Sequence, residues 1–474
     1  MPLLPLYVDM DGSLIRSDLL IESALKLLKG SLGNIFMLLG WLMQGKAHLK
    51  ARIAARVELE AGTLPFNPDV LDLLRAARAA GRKVVLATAS HARYANAVAA
   101  HLGLFDAVLA STETQNLSGA AKLAAIQQHA KGPFAYVGNE AVDLLIWRQA
   151  AGAVVVTASQ SLLAQARLAA PAVQWVPVPA AGIVGWARAL RLHQWAKNLL
   201  LFMPALPLTA VLQPSTWLAL CSAFVCFGLC ASSVYLLNDL LDLESDRAHT
   251  RKRNRPIPAG KIPILHACAL FPVLLLVAFA LALATLPWQF VAVLALYWMS
   301  TMAYSFDLKR RVLVDIMTLA SLYTIRILAG SAVILVAPSF WILVFSMFLF
   351  LSLAAAKRYV ELLETQRHDH GKVIGRGYYV TDMPFVLALG LASGLISVLI
   401  FALYVNDPAA RLHMQQPYAL WLVCPLLLYW ISRVWLKASR NELHDDPVVF
   451  AVTDRISQIV ALLGLLLVLV AARG

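Results

Sequence analysis

From residue 199 onward the chain is a succession of apolar runs, near 199–212, 217–237, 264–284, 287–304, 313–335, 340–356, 384–404, 418–436 and 457–472. Each is close to the roughly 20 residues an α-helix needs to cross a bilayer core. In lipid every backbone polar group must be satisfied within the chain, which leaves such runs a helical solution. The runs therefore predict an all-α bundle of nine transmembrane helices over residues 183–474. The first run is short and interrupted by Pro204 and Pro207. A hydrophobic fraction of 60% against 14% charged residues fits an integral membrane protein.

The charges that remain sort to one side. The loops after the even-numbered runs (Arg247 to Lys261, Lys309 to Arg311, Lys357 to Arg376, Arg433 to Arg455) are basic. The opposite loops (Thr285 to Trp288, Val336 to Phe340, Asn406 to Arg411) carry almost no positive charge. The positive-inside rule puts the basic loops in the cytoplasm of a multi-pass inner (plasma) membrane protein. The net charge of +13 is accounted for by those loops beside anionic lipid, and by phosphorylated substrates, rather than by nucleic acid. No cleavable signal peptide is expected, because MPLLPLYVDMDG turns acidic too soon. The N-terminal part is thus expected on the cytoplasmic side. Five cysteines, all in or beside apolar runs and without a CxxC pair, argue against zinc and disulfides. Arg326 lies deep in an apolar run, where a charge needs a partner. Trp195 reads as an interfacial anchor.

The densest chemistry is NDLLDLESDRAHTRKRNRP, Asn238 to Pro256. Asp239, Asp242 and Asp246 recur at steps of three and four, which places them on one face of a helix. Asn238 adjoins the first, and Arg251, Lys252, Arg253 and Arg255 follow. Clustered acids beside clustered bases suit a divalent cation holding a phosphorylated substrate. The plainer alternative is a solvated loop between two helices.

The first 180 residues read differently: Ala-rich, interspersed with charge, with short apolar strands alternating with helical patterns. That order implies a parallel sheet with its site at the strand C-termini. Leu6 to Val8 runs into Asp9-Met10-Asp11-Gly12-Ser13, so two carboxylates two residues apart can face one magnesium ion. Lys83 to Ala87 ends in Thr88-Ala89-Ser90, Lys122 lies in a helix-like stretch, and Phe134 to Val137 ends in Gly138-Asn139-Glu140 with Asp143 beyond. Val154 to Thr157 reads as a further strand, residues 16 to 65 as a helical cap, and PAVQWVPVPAAG (171 to 182) as a linker. In order and spacing these resemble the four motifs of the haloacid dehalogenase (HAD) superfamily. The resemblance implies a Rossmann-like α/β fold with a small helical cap over residues 1–180. It implies Asp9 as the nucleophile forming an aspartyl-phosphate, Asp11 as general acid/base, and Thr88 and Lys122 as holders of phosphoryl oxygens. Asp9, Asp11 and Asp143 would bind Mg2+. Asn139 stands where the family usually has Asp, so a pseudo-phosphatase is the alternative.

The NDLLDLESD stretch with KRNRP resembles the first aspartate-rich motif of the UbiA superfamily of intramembrane prenyltransferases, nine-helix enzymes that bind a diphosphate through magnesium. YSFDLKR, Tyr304 to Arg310, with Asp315 further on, occupies the place of the second motif without its DxxxD form. LRLHQWAKN (190 to 198), KRYVEL (357 to 362) and HDDPVVF (444 to 450) look like the decaprenyl-phosphate phosphoribosyltransferase branch. That resemblance implies transfer of 5-phosphoribose from phosphoribosyl diphosphate to a polyprenyl phosphate. Asp239, Asp242 and Asp246 would hold Mg2+ as Lewis acid and template, with Asn238 as neutral ligand or orienter. Lys252 and Arg255 would clamp phosphate oxygens. Tyr304, Lys309, Arg310 and Asp315 would approach from the second loop. Lys357, Arg358 and Glu361 would take the 5-phosphate or ribose hydroxyls, although the lysines and arginines also suit anchoring at a membrane face. The HAD-like domain would then suit removal of the 5-phosphate from the product. An aromatic prenyltransferase, or a transporter or scaffold, are the competing readings. A homo-oligomer is left open.

Overall fold

The computed structural model describes residues 4–31, 33–178, 181–208, 213–249, 251–367, 371–373, 375–408, 416–443 and 446–473. Thr250 of the aspartate-rich stretch and His444 and Asp445 of HDDPVVF lie outside them. The chain forms two compact units, Met1–Leu190 with Tyr235–Phe271, and Arg191–Val234 with Pro272–Gly474. The membrane part thus lends 235–271 to the N-terminal unit.

In the first unit six strands, β1 (Leu6–Val8), β2 (Val84–His91), β3 (Ala107–Ser111), β4 (Ala135–Gly138), β5 (Gly152–Thr157) and β6 (Val173–Pro177), pair in the order β3-β2-β1-β4-β5-β6. Every pairing is parallel. The alternation of strand side chains divides them between two cores. Leu6 and Val8 pack on one face and Tyr7 on the other. Both faces are covered, as a parallel sheet requires. The expected linker is in fact β6 together with its flanks. Val173, Trp175 and Val176 favour an extended edge strand, and Pro177 is tolerated there because an edge leaves an N–H position unpaired. Between β1 and β2 lie the helices Leu19–Gly30, Asn34–Met43 and Lys46–Arg56, the expected cap. Asp18 caps the first of them, accepting from the Ile21 N–H at 3.0 Å.

The second unit is helical, and its core gathers Ile316, Phe350, Ala355, Trp430 and Trp435. Among the described residues of the whole chain, six helices are long and apolar enough to cross a membrane. They are Pro214–Leu241, Ile264–Thr285, Val314–Ile334, Phe340–Arg367, Val380–Asn406 and Pro417–Ser439. The bent pair Pro447–Thr453 and Arg455–Ala471, at 79°, raises the number to seven. The expected nine is not reached for two local reasons. The first run winds into a tight 3-10 segment, Leu192–Leu208, around Pro204 and Pro207. The helix Trp288–Phe306 is diluted by Gln289, Ser300, Thr301 and aromatic residues with polar tips.

Close packing rests on glycines. A Cβ on Gly228 would lie 2.6 Å from the Trp195 ring, and one on Gly330 would lie 2.0 Å from the Leu201 carbonyl oxygen. Trp195, expected as an interfacial anchor, packs over Gly228 and donates its Nε1–H to Ser232 at 3.0 Å.

Candidate active sites

At the C-terminal ends of β1, β2 and β4 the first unit gathers the expected acids. Asp9 is buried, and the Lys122 Nζ lies 2.9 Å from its Oδ1. The Asp11 carboxylate accepts from the Leu19 N–H at 2.9 Å and the Ser90 hydroxyl at 2.6 Å. Burial pushes the Asp9 carboxyl up to about 6 against the pull of Lys122. Burial and Asp18 push that of Asp11 up to about 7. Thr88 is fully buried, and its hydroxyl oxygen accepts the Ser90 N–H at 3.0 Å. Gly12 must be glycine: its φ is +74° and a Cβ would meet the Asn139 amide at 2.1 Å. Asn139 in turn accepts from Ser13 at 3.0 Å.

Asp143 is placed differently from the expectation. One oxygen accepts from the Tyr136 hydroxyl at 2.9 Å, the other from the Asn139 and Glu140 N–H groups at 2.9 and 3.0 Å. It ties down its own loop. Lys122, paired with Asp9, also donates to the Tyr136 hydroxyl at 3.1 Å. Lys50, in the cap, donates to the Ala89 carbonyl at 2.5 Å and to Asn116 at 2.8 Å. Nothing in its sequence surroundings marks it as a site residue.

The aspartate-rich stretch does not stay on one helix. The helix Pro214–Leu241 ends, and a second, Leu243–Ala248, starts after Asp242, whose φ and ψ are −106° and 16°. The break separates the three acids. Arg255 Nη1 lies 3.1 Å from Asp239 and 2.6 Å from Asp246, whereas Asp242 turns to Lys29 of the cap at 2.7 Å. Lys252 is 3.9 Å from Asp246. The Asp246 carboxyl is raised by burial, with Arg255 and Lys252 opposing. The Asn238 Oδ1 is buried without a hydrogen-bond partner. Two carboxylates converging on one cation beside an unpartnered amide oxygen suit a hard divalent ion. Among the described residues, no three His, Cys, Asp or Glu side chains are grouped as a ready metal site.

In the second unit two buried polar clusters form. Arg358, fully buried, pairs with Asp315 at 2.7 Å and with Glu361. Arg376 reaches Asp315 at 3.0 Å and Glu361 at 3.1 Å, and Tyr304 donates to Asp315 at 2.8 Å. These carboxylates hold the Arg376 guanidinium firmly protonated, raising it although burial opposes them. Tyr304, Asp315, Arg358 and Glu361 thus meet as expected; Arg376 joins them from a loop counted only for its charge.

Lys357 departs from that group. It pairs with Asp446 at 2.9 Å, beside Lys197 at 2.8 Å and the Tyr323 hydroxyl at 2.7 Å. Although burial opposes it, the two ammonium groups hold the Asp446 carboxyl well below the usual range. Arg310 is exposed and Lys309 half-buried in the loop before Asp315. Arg326 has the partners its depth demands: Asn198 and the Tyr297 hydroxyl, both at 3.1 Å, and three aromatic rings.

The chain thus combines a helical body of candidate membrane spans holding buried carboxylate–guanidinium clusters with a parallel-sheet unit that carries paired aspartates at its strand ends. The UbiA prenyltransferase family model matches residues 198–471, more than half of the chain, and the haloacid dehalogenase-like hydrolase model matches residues 7–133. The chain belongs to the UbiA prenyltransferase family and carries a HAD-like domain at its N-terminal end. It is 37% identical to the uncharacterized protein y4nM of Sinorhizobium fredii, over 96% of this chain and 88% of that one. It is 33% identical to the nodulation protein NoeC of Azorhizobium caulinodans, over 60% of this chain and 92% of the other. It is 31% identical to a decaprenyl-phosphate phosphoribosyltransferase of Mycolicibacterium smegmatis, over 59% and 90%.

Proposed function

We propose that the chain transfers 5-phosphoribose from phosphoribosyl diphosphate to a polyprenyl phosphate, and that its HAD-like domain removes the 5-phosphate from the lipid-linked product. The observation that carries the reading is the buried Arg358–Arg376–Asp315–Glu361–Tyr304 cluster. Two guanidiniums, two carboxylates and a phenol recognise phosphate and sugar hydroxyls; a prenyl donor calls for an apolar wall. The relatives named decaprenyl-phosphate phosphoribosyltransferase support the same donor.

In this reading Asp239, Asp246 and Asn238 hold Mg2+, which when bound neutralises the diphosphate leaving group. Arg255 stays at the rim and takes phosphate oxygens. Lys252 adds a second cation there. The acceptor phosphate is ionised at neutral pH, so no strong base is required. In the HAD-like domain Asp9 attacks phosphorus and Lys122 balances the transferred charge. Asp11, poised near neutrality, gives its proton to the leaving oxygen and takes one from the water that follows. Asp143 holds the loop, and Asp9 is the carboxylate that would face Mg2+ while Asp11 keeps its proton for the leaving oxygen.

The bundle has nine crossing segments when Leu192–Leu208 and Trp288–Phe306 are counted with the seven. The basic loops and the HAD-like domain face the cytoplasm.

The test is mass spectrometry of lipid products formed by the full chain with Mg2+, a polyprenyl phosphate and phosphoribosyl diphosphate. Polyprenyl-phosphoryl ribose is expected from the wild type, its 5-phosphorylated precursor from Asp9→Asn, and neither from Asp239→Asn. The aspartate-rich motif fits a prenyl diphosphate equally well. Turnover of that donor alone would replace the proposal by an aromatic prenyltransferase.

A further inference from the structure

Within the first unit, the segment carrying Asp242 and Asp246 is bound to a cap helix far away in sequence. Lys29 pairs with Asp242 at 2.7 Å and Lys26 with Glu244 at 2.5 Å. Arg247 donates both terminal nitrogens to Glu22, at 2.9 and 2.6 Å, and its Nε–H to the Pro258 carbonyl at 2.9 Å. Ser17 donates to the same Glu22 carboxylate. Glu22, Lys26 and Lys29 are spaced by four and three, so one face of the helix Leu19–Gly30 makes all the contacts. Beside them Gly260, at φ +66°, lies so close to Arg16 that a Cβ would stand 2.5 Å from its carbonyl oxygen. At the other end of the same helix the Leu19 N–H holds Asp11.

At Asp242 the helix bends, while the Asp242 N–H still reaches the Asn238 carbonyl at 2.9 Å and the Asp246 N–H the Asp242 carbonyl at 2.8 Å. We propose that the helix Leu19–Gly30, through these ion pairs across the bend, is a positioning element of the transferase's diphosphate end. Glu22, Lys26 and Lys29 are positioning residues. Lys29 holds the Asp242 carboxylate at the bend itself. The proposal rests on the reading of this motif as a magnesium–diphosphate site, whichever group the diphosphate carries.

The experiment uses the full chain in nanodiscs and initial rates over a range of Mg2+–donor concentrations. Lys26→Glu and Glu22→Arg are expected to raise KM between about threefold and a hundredfold, with kcat moving less. The exchanges Lys26→Glu/Glu244→Lys and Glu22→Arg/Arg247→Glu are expected to restore it. An unchanged KM in both single reversals, or exchanges that fail to restore it in monodisperse protein, would overturn the proposal. Lys26→Gln, milder at a half-exposed position, serves if the reversal does not fold. Both phosphoribosyl and prenyl diphosphates are assayed. Rescue seen with the prenyl donor alone removes the donor assignment and keeps the positioning role.

A second observation stands apart from the first. The helix Asn34–Met43, NIFMLLGWLM, buries no residue fully. Leu38 and Trp41 lean on the cap core, whereas Phe36 is 77%, Leu39 53% and Met43 90% exposed. No acidic residue occurs between Gly30 and Val57, while the exposed Lys46, Arg52 and Arg56 follow the helix. At about 15 Å long it is too short to cross a bilayer. An apolar face beside bases suits the surface of an anionic membrane. We infer that Phe36, Leu39 and Met43 enter the headgroup–acyl boundary.

Nitroxide labels at Phe36→Cys and Met43→Cys, in full chain with its native cysteines replaced, are expected to be more accessible to oxygen than to a water-soluble nickel chelate. A label at Arg75→Cys, on an exposed helix position, is expected to show the reverse. Water-like labels at 36 and 43, or dipolar coupling between two copies there, would overturn the inference.

Discussion

Arg358 shows how much one buried charge organises. It is fully buried and has Asp315 and Glu361 for partners, with the Tyr378 ring 5.5 Å from its guanidinium. Arg358→Met would leave Asp315 and Glu361 with Arg376 as their remaining guanidinium. Breaking a buried pair in this way costs about 3–5 kcal/mol, and the thermal midpoint in detergent is expected to fall accordingly. Arg358→Lys keeps the charge and loses the planar fork; its KM for the donor is expected to rise about tenfold while the fold survives. Asp9 and Asp11 make a prediction of opposite electrical sense. Their carboxyls, pushed up to about 6 and about 7, hold protons more tightly folded than unfolded, where aspartate titrates near 4. The stability they contribute is full below about pH 4 and is lost as pH rises through 6 and 7. Magnesium facing Asp9 must displace that carboxyl's proton, so its affinity here is expected to weaken by about tenfold per pH unit as pH falls below 6. Calorimetric Mg2+ titration of an Asp239→Asn/Asp246→Asn chain at pH 8 and pH 5.5 checks this; equal affinities would refute it. Asp9, Asp11 and Arg358 were legible because each sits in a compact local motif. Arg376 was not, since a loop arginine near other bases looks the same whether it anchors to lipid or closes a cluster.

At the scale of elements, the helical body is set by close approaches that differ in how far they can yield. A Cβ on Gly228 presses the side chain of Trp195, whereas one on Gly330 presses the backbone carbonyl of Leu201. Gly228→Ala is expected to cost about 1–3 kcal/mol, partly relieved by Trp195→Phe, because a ring can shift. Gly330→Ala is expected to cost more and to find no side-chain rescue. Melting of the four variants in detergent separates the two cases, and equal losses would contradict the distinction. Element types followed readily from periodicity, since apolar runs and strand alternation are local. The exceptions have local causes too. Pro177 disguised β6 as a linker, and Pro204 and Pro207 tightened a run that otherwise resembles a span.

For the whole molecule, the arrangement of charged loops makes the decisive prediction. With the basic loops cytoplasmic, a cysteine placed in the Val336–Phe340 loop of an otherwise cysteine-free chain should react with an impermeant reagent in intact cells. One placed at Arg310 should react only after the membrane is opened. The reverse pattern would invert the topology. Most of the apolar helices, the charge asymmetry, the strand-end aspartates and the acidic–basic stretch were all determined by the sequence itself, because each depends on spacing over a few residues. Tertiary structure alone decided which acids pair with which bases. Asp242 left its neighbours for Lys29, 213 residues away in the chain, and Lys357 left Arg358 for Asp446. Such pairings are chosen by how distant elements pack, and local spacing carries no record of that choice. The aspartate-rich stretch was visible from the start, and only the fold revealed that a cap helix of the same compact unit, more than 200 residues away in the chain, pairs with it.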